Sequence, residues 1–174
     1  MLQKPKHYNA WTDGSYRQER HSAGGGWVIE TDPDGRLEGK SLVDGGPLKG
    51  DAREYGSQIA ELFAVSSALK RIPDGATLTL RTDSREMAEW LKAGKMGKSL
   101  AAVREITTLF QAVQSKLAML ARVEVIQITG RNNPNMDRAH QLSRQATTPP
   151  KKEKKKPDAA RRNGGRPATP KKSY

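Results

Sequence analysis

The sequence predicts an α/β fold, a mixed five-stranded sheet flanked by helices, and three observations carry that prediction. Turns rich in glycine and proline divide the amino-terminal part into three β-prone runs. From Ser57 onward, segments with helical spacing alternate with two more short β-prone runs. Nothing in the first 146 residues repeats, which fits a single such domain.

The first strand is predicted over His7–Ser15, where an alternating pattern ends in Asp-Gly. Gly24-Gly25-Gly26 leads into a second strand over Trp27–Glu30, and Asp32-Pro33-Asp34-Gly35 turns the chain into a third near Leu37–Val43. Three consecutive strands with such short connections form an antiparallel meander. Ile59, Leu62, Phe63, Val65, Ala68 and Leu69 recur at helical spacing, giving a helix over Ser57–Ile72 that Pro73-Asp74-Gly75 stops. Thr77–Thr82 is the fourth strand and Ser84–Lys92 the second helix.

A long amphipathic helix is predicted over Ser99–Leu120 from Leu100, Val103, Ile106, Leu109, Phe110, Val113 and Leu117. Val123–Ile128 is the fifth strand, and a polar loop over Gly130–Asn135 opens a last helix that runs to Ala146. The predicted order is βββαβααβα. Three early strands followed by helix-connected strands indicate a mixed sheet with helices on its faces.

Charge divides the chain in two. Of its 174 residues, 1–146 hold 21 Lys+Arg against 17 Asp+Glu, whereas 147–174 hold 10 Lys+Arg against only Glu153 and Asp158. The expected organisation is a domain over 1–146 and a tail over 147–174 too poor in apolar residues to fold, hence disordered. Lys151, Lys152, Lys154, Lys155, Lys156, Arg161, Arg162 and Arg166 make that tail a candidate for sequence-independent contact with a nucleic-acid backbone.

Composition excludes several classes. The chain has no cysteine, which removes disulfides, thiolate metal sites and thiol nucleophiles. No Walker-type loop is present. No apolar run suits a signal sequence or a membrane helix, so the expectation is a cytoplasmic monomer with no membrane partner, nucleoid association being compatible with the tail. Trp11, Trp27 and Trp90 are expected to pack rather than to stack on bases.

Three carboxylates stand out by position. Asp13 ends the first strand and Asp83 ends the fourth, while Glu61 lies inside the apolar stripe of the first helix. Singly, each has an ordinary explanation: a turn aspartate, a helix N-cap, a sideways glutamate. Together they can converge at one edge of the sheet. Clustered carboxylates repel unless a hard divalent cation fills the gap, and oxygen ligands without cysteine favour Mg²⁺ or Mn²⁺.

Thr12-Asp13-Gly14-Ser15, Ala23-Gly24-Gly25-Gly26-Trp27, Ala60-Glu61-Leu62-Phe63-Ala64 and Thr82-Asp83-Ser84 follow one another in that order. In motif, spacing and element order the sequence resembles a type 1 ribonuclease H domain of the retroviral-integrase-like nuclease superfamily, over roughly residues 8–146. The resemblance implies a ribonuclease H-like fold. It also implies hydrolysis of the RNA strand of RNA–DNA hybrids by two-metal-ion catalysis, leaving 5′-phosphate and 3′-hydroxyl ends. Asp13, Glu61 and Asp83 would carry two Mg²⁺ or Mn²⁺ ions.

The last helix departs from the family pattern. Met136-Asp137-Arg138-Ala139-His140 places His140 where the family usually has a fourth aspartate. A neutral imidazole can ligate a metal but brings no negative charge. Asp137, three residues earlier and on nearly the same helix face, is the substitute fourth ligand, favoured below His140. Arg131 follows Gly130 where many bacterial members carry a mobile histidine, and it becomes a substrate-binding candidate.

The resemblance also implies substrate contacts from Gly14 and Ser15 beside Asp13, from Ser84 and Arg85 beside Asp83, and from Ser57 and Gln58 before Glu61. Ser57 and Gln58 can donate and accept hydrogen bonds to 2′-hydroxyls. Ser57 also suits an N-cap. Lys92, Lys95 and Lys98 form a thin version of the basic protrusion of some relatives. Two rivals remain at this point: another nuclease of the superfamily, such as a junction resolvase, and a non-catalytic nucleic-acid-binding module.

Overall fold

The computed structural model describes residues 5–33, 35–129 and 132–149. Five strands, β1 (His7–Arg17), β2 (Ser22–Thr31), β3 (Gly35–Leu42), β4 (Thr77–Thr82) and β5 (Arg122–Gln127), form one sheet in the order β3-β2-β1-β4-β5. β1 pairs antiparallel with β2, and β2 with β3, whereas β4 is parallel to both β1 and β5. The expected mixed sheet is present.

Among the described residues five α-helices accompany it: α1 (Gly56–Leu69), α2 (Arg85–Ala93), α3 (Lys98–Ala101), α4 (Arg104–Ala118) and α5 (Pro134–Thr147). The long helix expected over Ser99–Leu120 is two helices, so the order is βββαβαααβα. The break lies at Val103, whose extended backbone (φ −88°, ψ 110°) caps α4. Leu100, before the break, and Val103, at it, both enter the core. Helical spacing on either side conceals such a break, because the apolar register resumes after it.

Two layers of helix sandwich the sheet, and the glycines of β2 set their distance. Ile59, Leu62, Val65 and Leu69 of α1 pack with Ala10, Ile29, Leu78 and Leu80 in the larger core. On the opposite face, Met136, Ala139 and Leu142 of α5 cover Trp11 and Val28. A Cβ on Gly25 would lie 2.6 Å from the Cα of Ala64 in α1. A Cβ on Gly26, facing the other way, would overlap the backbone of α5 at Ala139 and Ser143. The glycine triplet is therefore inside β2 rather than a turn before it, and it lets both helices touch the sheet backbone.

Trp11, Trp27 and Trp90 are all buried, as packing residues should be. Among the described residues no helix is long and apolar enough to cross a membrane. Arg131 and the tail cations from Lys151 to Arg166 lie outside the described residues.

The start of α5 is built from the sequence up. Asn133 holds an extended conformation, Pro134 supplies a preset φ at the first helical position, and the Asn133 side chain accepts a hydrogen bond from Met136 N at 3.0 Å. Asn133→Ala is expected to cost ~1 kcal/mol, lowering Tm by about 3 °C for a domain of this size. Thermal unfolding checks this, and an unchanged Tm would mean that the cap contributes nothing.

Candidate active site

Thr12 of β1 and Thr82 of β4 are register partners, so Asp13 and Asp83 are the next residues on two adjacent parallel strands. They emerge together where β4 ends and its pairing with β1 stops; β1 itself runs on to Arg17 beside β2, so Asp13 lies inside that strand and not at its end as the sequence suggested. Glu61 reaches the same point from α1, which sits directly over the β1 backbone: a Cβ on Gly14 would overlap Glu61 N and the Ala60 carbonyl carbon. Glycine after Asp13 is thus what brings α1, and with it Glu61, down to the aspartates. One carboxylate oxygen from each of Asp13, Glu61 and Asp83 lies within 4.8 Å of the others.

The three differ in surroundings. Asp13 is buried at 3% exposure and Asp83 is exposed, while Glu61 is intermediate overall but has a carboxylate walled in by protein. Burial raises the Glu61 pKa well above its usual range, and the neighbouring Asp13 and Asp83 raise it further, against a lowering hydrogen bond from the Gly14 backbone. Partial burial and Asp13 also push Asp83 up, opposed by His140 and by its own backbone N–H. Glu61 Oε2 is buried without a hydrogen-bond partner. An acceptor that is buried, repelled and unsatisfied fits a cation, and an all-oxygen donor set suits Mg²⁺ or Mn²⁺.

α5 adds two further groups, both on the same oxygen of Asp13. His140 Nδ1 lies 3.2 Å from Asp13 Oδ2, and the Ser143 hydroxyl donates to that same Oδ2. When Nδ1 carries the proton, the His140 lone pair is on Nε2. Asp137 lies one turn earlier, exposed in the first turn of α5, and is not part of the three-carboxylate cluster.

Most of the remaining candidates have partners of their own. Ser15 Oγ is 3.2 Å from Thr147 Oγ1, tying the end of β1 to the end of α5. Arg17 reinforces this tie through Thr147 Oγ1 at 3.3 Å and Thr148 Oγ1 at 2.9 Å. Ser57 does not cap its helix, because α1 begins one residue earlier at Gly56 and no side chain caps it; Ser57 is exposed, one turn before Glu61. Gln58 Nε2 donates to Glu86 Oε2 at 3.4 Å. Ser84 caps α2 by accepting from Met87 N at 3.2 Å, and Arg85 pairs with Glu89 at 2.7 Å on the surface.

Ser143, Thr147 and Arg17 were not singled out by sequence reasoning. Ser143 had a signal: it falls in the buried stripe of Met136, Ala139 and Leu142, where a hydroxyl is out of place unless it has a partner. Arg17 had none, since its contacts are 130 residues away in the chain.

No protein-family model matches the chain, and no curated protein matches it in sequence. Solved structures do match in shape. The ribonuclease H1 of the halophilic archaeon Halobacterium salinarum superposes with a TM-score of 0.62 at 19% identity, covering 80% of this chain and 96% of that one. The N-terminal ribonuclease H domain of a Mycobacterium tuberculosis protein, solved as a fusion with maltose-binding protein, gives 0.63 at 17% identity over 82% and 99%. LC11 ribonuclease H1, solved in complex with an RNA/DNA hybrid, gives 0.60 at 19% identity over 80% and 95%. With its mixed five-stranded sheet in matching order, the chain has the ribonuclease H-like fold.

Proposed function

We propose that this chain is a metal-dependent endoribonuclease that hydrolyses the RNA strand of RNA–DNA hybrids, leaving 5′-phosphate and 3′-hydroxyl ends. The observation that carries the reading is the convergence of Asp13, Glu61 and Asp83 within 4.8 Å on a fold shared with ribonuclease H1 domains. Asp13, Glu61 and Asp83 would hold two Mg²⁺ or Mn²⁺ ions, with His140 rather than Asp137 completing the set, since His140 already touches Asp13. When bound, such ions supply Lewis acidity to the scissile phosphate, its attacking water and its leaving 3′-oxygen.

The chain's own residues do the rest. The close approach of α1 at Gly14 brings Glu61 to the cluster, and the pairing of Thr12 with Thr82 holds Asp13 and Asp83 side by side. Preorganisation of this kind avoids moving charges during the reaction. Ser57 and Gln58, in the first turn of α1, offer donors and acceptors to 2′-hydroxyls, which distinguish RNA from DNA. Ser84 retains its own O–H for a substrate because only its oxygen is used by the cap. Gly14, Ser15, Arg85 and Arg131 complete the proposed substrate contacts. The domain acts as a monomer over 1–146, and the basic residues beyond it add salt-dependent contact to the nucleic-acid backbone.

Purified protein with Mg²⁺ or Mn²⁺ is expected to cut a labelled RNA–DNA hybrid and to leave duplex DNA, duplex RNA and a four-way junction intact. Cleavage of the junction alone would make it a resolvase, and no cleavage of any substrate would make it a binding module. His140→Asp is expected to keep activity and to lower the Mg²⁺ concentration needed for half-maximal rate by about tenfold, because a carboxylate replaces a neutral ligand with a hard anionic one. An unchanged Mg²⁺ dependence would remove His140 from the metal set.

A further inference from the structure

We propose that Ser143 is a positioning residue for the carboxylate cluster: its hydroxyl ties Asp13 Oδ2 to α5 and so leaves Oδ1 as the oxygen for the ions. The inference rests on the metal-dependent reading above and deepens it.

Ser143 is fully buried, at 0% exposure, in the middle of a helix. A serine there ordinarily turns its hydroxyl back to the carbonyl three or four residues earlier, and that acceptor is present: His140 O lies 2.9 Å from Ser143 Oγ. The hydroxyl has one proton and two acceptors in reach. A carboxylate takes it in preference to a neutral carbonyl, because charge-assisted hydrogen bonds are roughly twice as strong.

The sheet is built to allow it. Asp13 pairs in register with Gly26 of β2, and Gly26 is the position where any Cβ would overlap the α5 backbone at Ala139 and Ser143. Only because that residue is glycine does α5 come close enough for a side chain as short as serine to reach Asp13. Of the cluster's three carboxylates, Asp13 is the one held by a side-chain donor, the Ser143 hydroxyl. His140 Nδ1 sits on the same Asp13 oxygen as Ser143. With both α5 groups on Oδ2, the rotation of the Asp13 carboxylate is set before an ion arrives.

The test is a divalent titration without substrate, read as the rise in Tm on adding Mn²⁺, on wild type, Ser143→Ala and Ser143→Cys, with hybrid cleavage measured in parallel. Ser143→Ala is expected to need about tenfold more Mn²⁺ for half its Tm rise, and to recover a kcat near wild type at saturating Mn²⁺. Ser143→Cys, of similar size but a weak donor, is expected to behave like Ser143→Ala, which separates the hydroxyl from the packing. In the Asp13→Asn background the Ser143→Ala change should no longer alter the Mn²⁺ response. Equal Mn²⁺ affinity of wild type and both variants would overturn the role of Ser143 while leaving the metal site standing. A wild type with no Mn²⁺-dependent rise in Tm would overturn the metal reading, and this inference with it.

Discussion

Asp13→Asn is expected to reduce hybrid cleavage by ~10³-fold or more, about 4 kcal/mol of transition-state stabilisation, while raising the Tm of the metal-free protein. The two effects have one cause. Asp13 is the most buried carboxylate of the cluster and the one that both other acids sense as a repelling neighbour. Asparagine keeps its shape, still accepts from Ser143, and can donate an amide proton toward Glu61 or Asp83. What it removes is a negative charge that two divalent ions need and that the metal-free fold does not. Hybrid cleavage at saturating Mn²⁺ and thermal unfolding in a chelator check both halves. Lost activity with a lowered Tm would make Asp13 a structural residue, and retained activity would displace it from the site.

That opposition between folding and function explains how legible this site was. Asp13, Glu61 and Asp83 each have an ordinary explanation alone, but they could be found together, because two acids beside neighbouring strands and one inside an apolar stripe can meet at one edge of a sheet. Their convergence required only the strand order, which short connections and helical spacers largely determine. His140 could be placed from its helix, but not its contact with Asp13, which depends on how closely α5 approaches β2. That approach is decided by Gly26, and a glycine in sequence does not say which neighbour it makes room for.

Boundaries failed where two patterns share a period. The α3–α4 break at Val103 lies inside continuous helical spacing, so nothing in the residue pattern marks it. Ser57 has the right chemistry for a cap and sits one residue too late to be one, since α1 starts at Gly56, packed where a Cβ would overlap the Tyr16 ring. Ser143 was readable as a hydroxyl on a buried face, yet its partner is 130 residues away and on another element. Helix faces are visible in sequence; which side chain on the far strand a face meets is a property of packing.

Glu61→Gln provides the second large effect, a pH-dependent one. In the metal-free protein the folded state holds the Glu61 proton more tightly than the unfolded chain does, because burial and two neighbouring acids raise its pKa well above 4.5. In the pH window from the ordinary carboxylate range up to that raised value, the folded state binds more protons than the unfolded state. Stability must therefore fall as pH rises through the window. Asp83 is shifted in the same direction and adds to the slope. Glutamine never ionises, so the Tm of Glu61→Gln minus that of wild type should be near zero at pH 4 and grow with pH. Each pH unit of the window is worth about 1.4 kcal/mol, or ~3–5 °C at this size. Mn²⁺ should close the gap from the wild-type side alone, since ions that bind the ionised cluster stabilise the fold and the glutamine variant lacks the charge to hold them. Thermal unfolding between pH 4 and 8, with chelator and with Mn²⁺, measures all four curves. A gap that stays constant with pH, or one that Mn²⁺ leaves open, would mean that Glu61 is not the proton-holding, metal-binding member of the cluster.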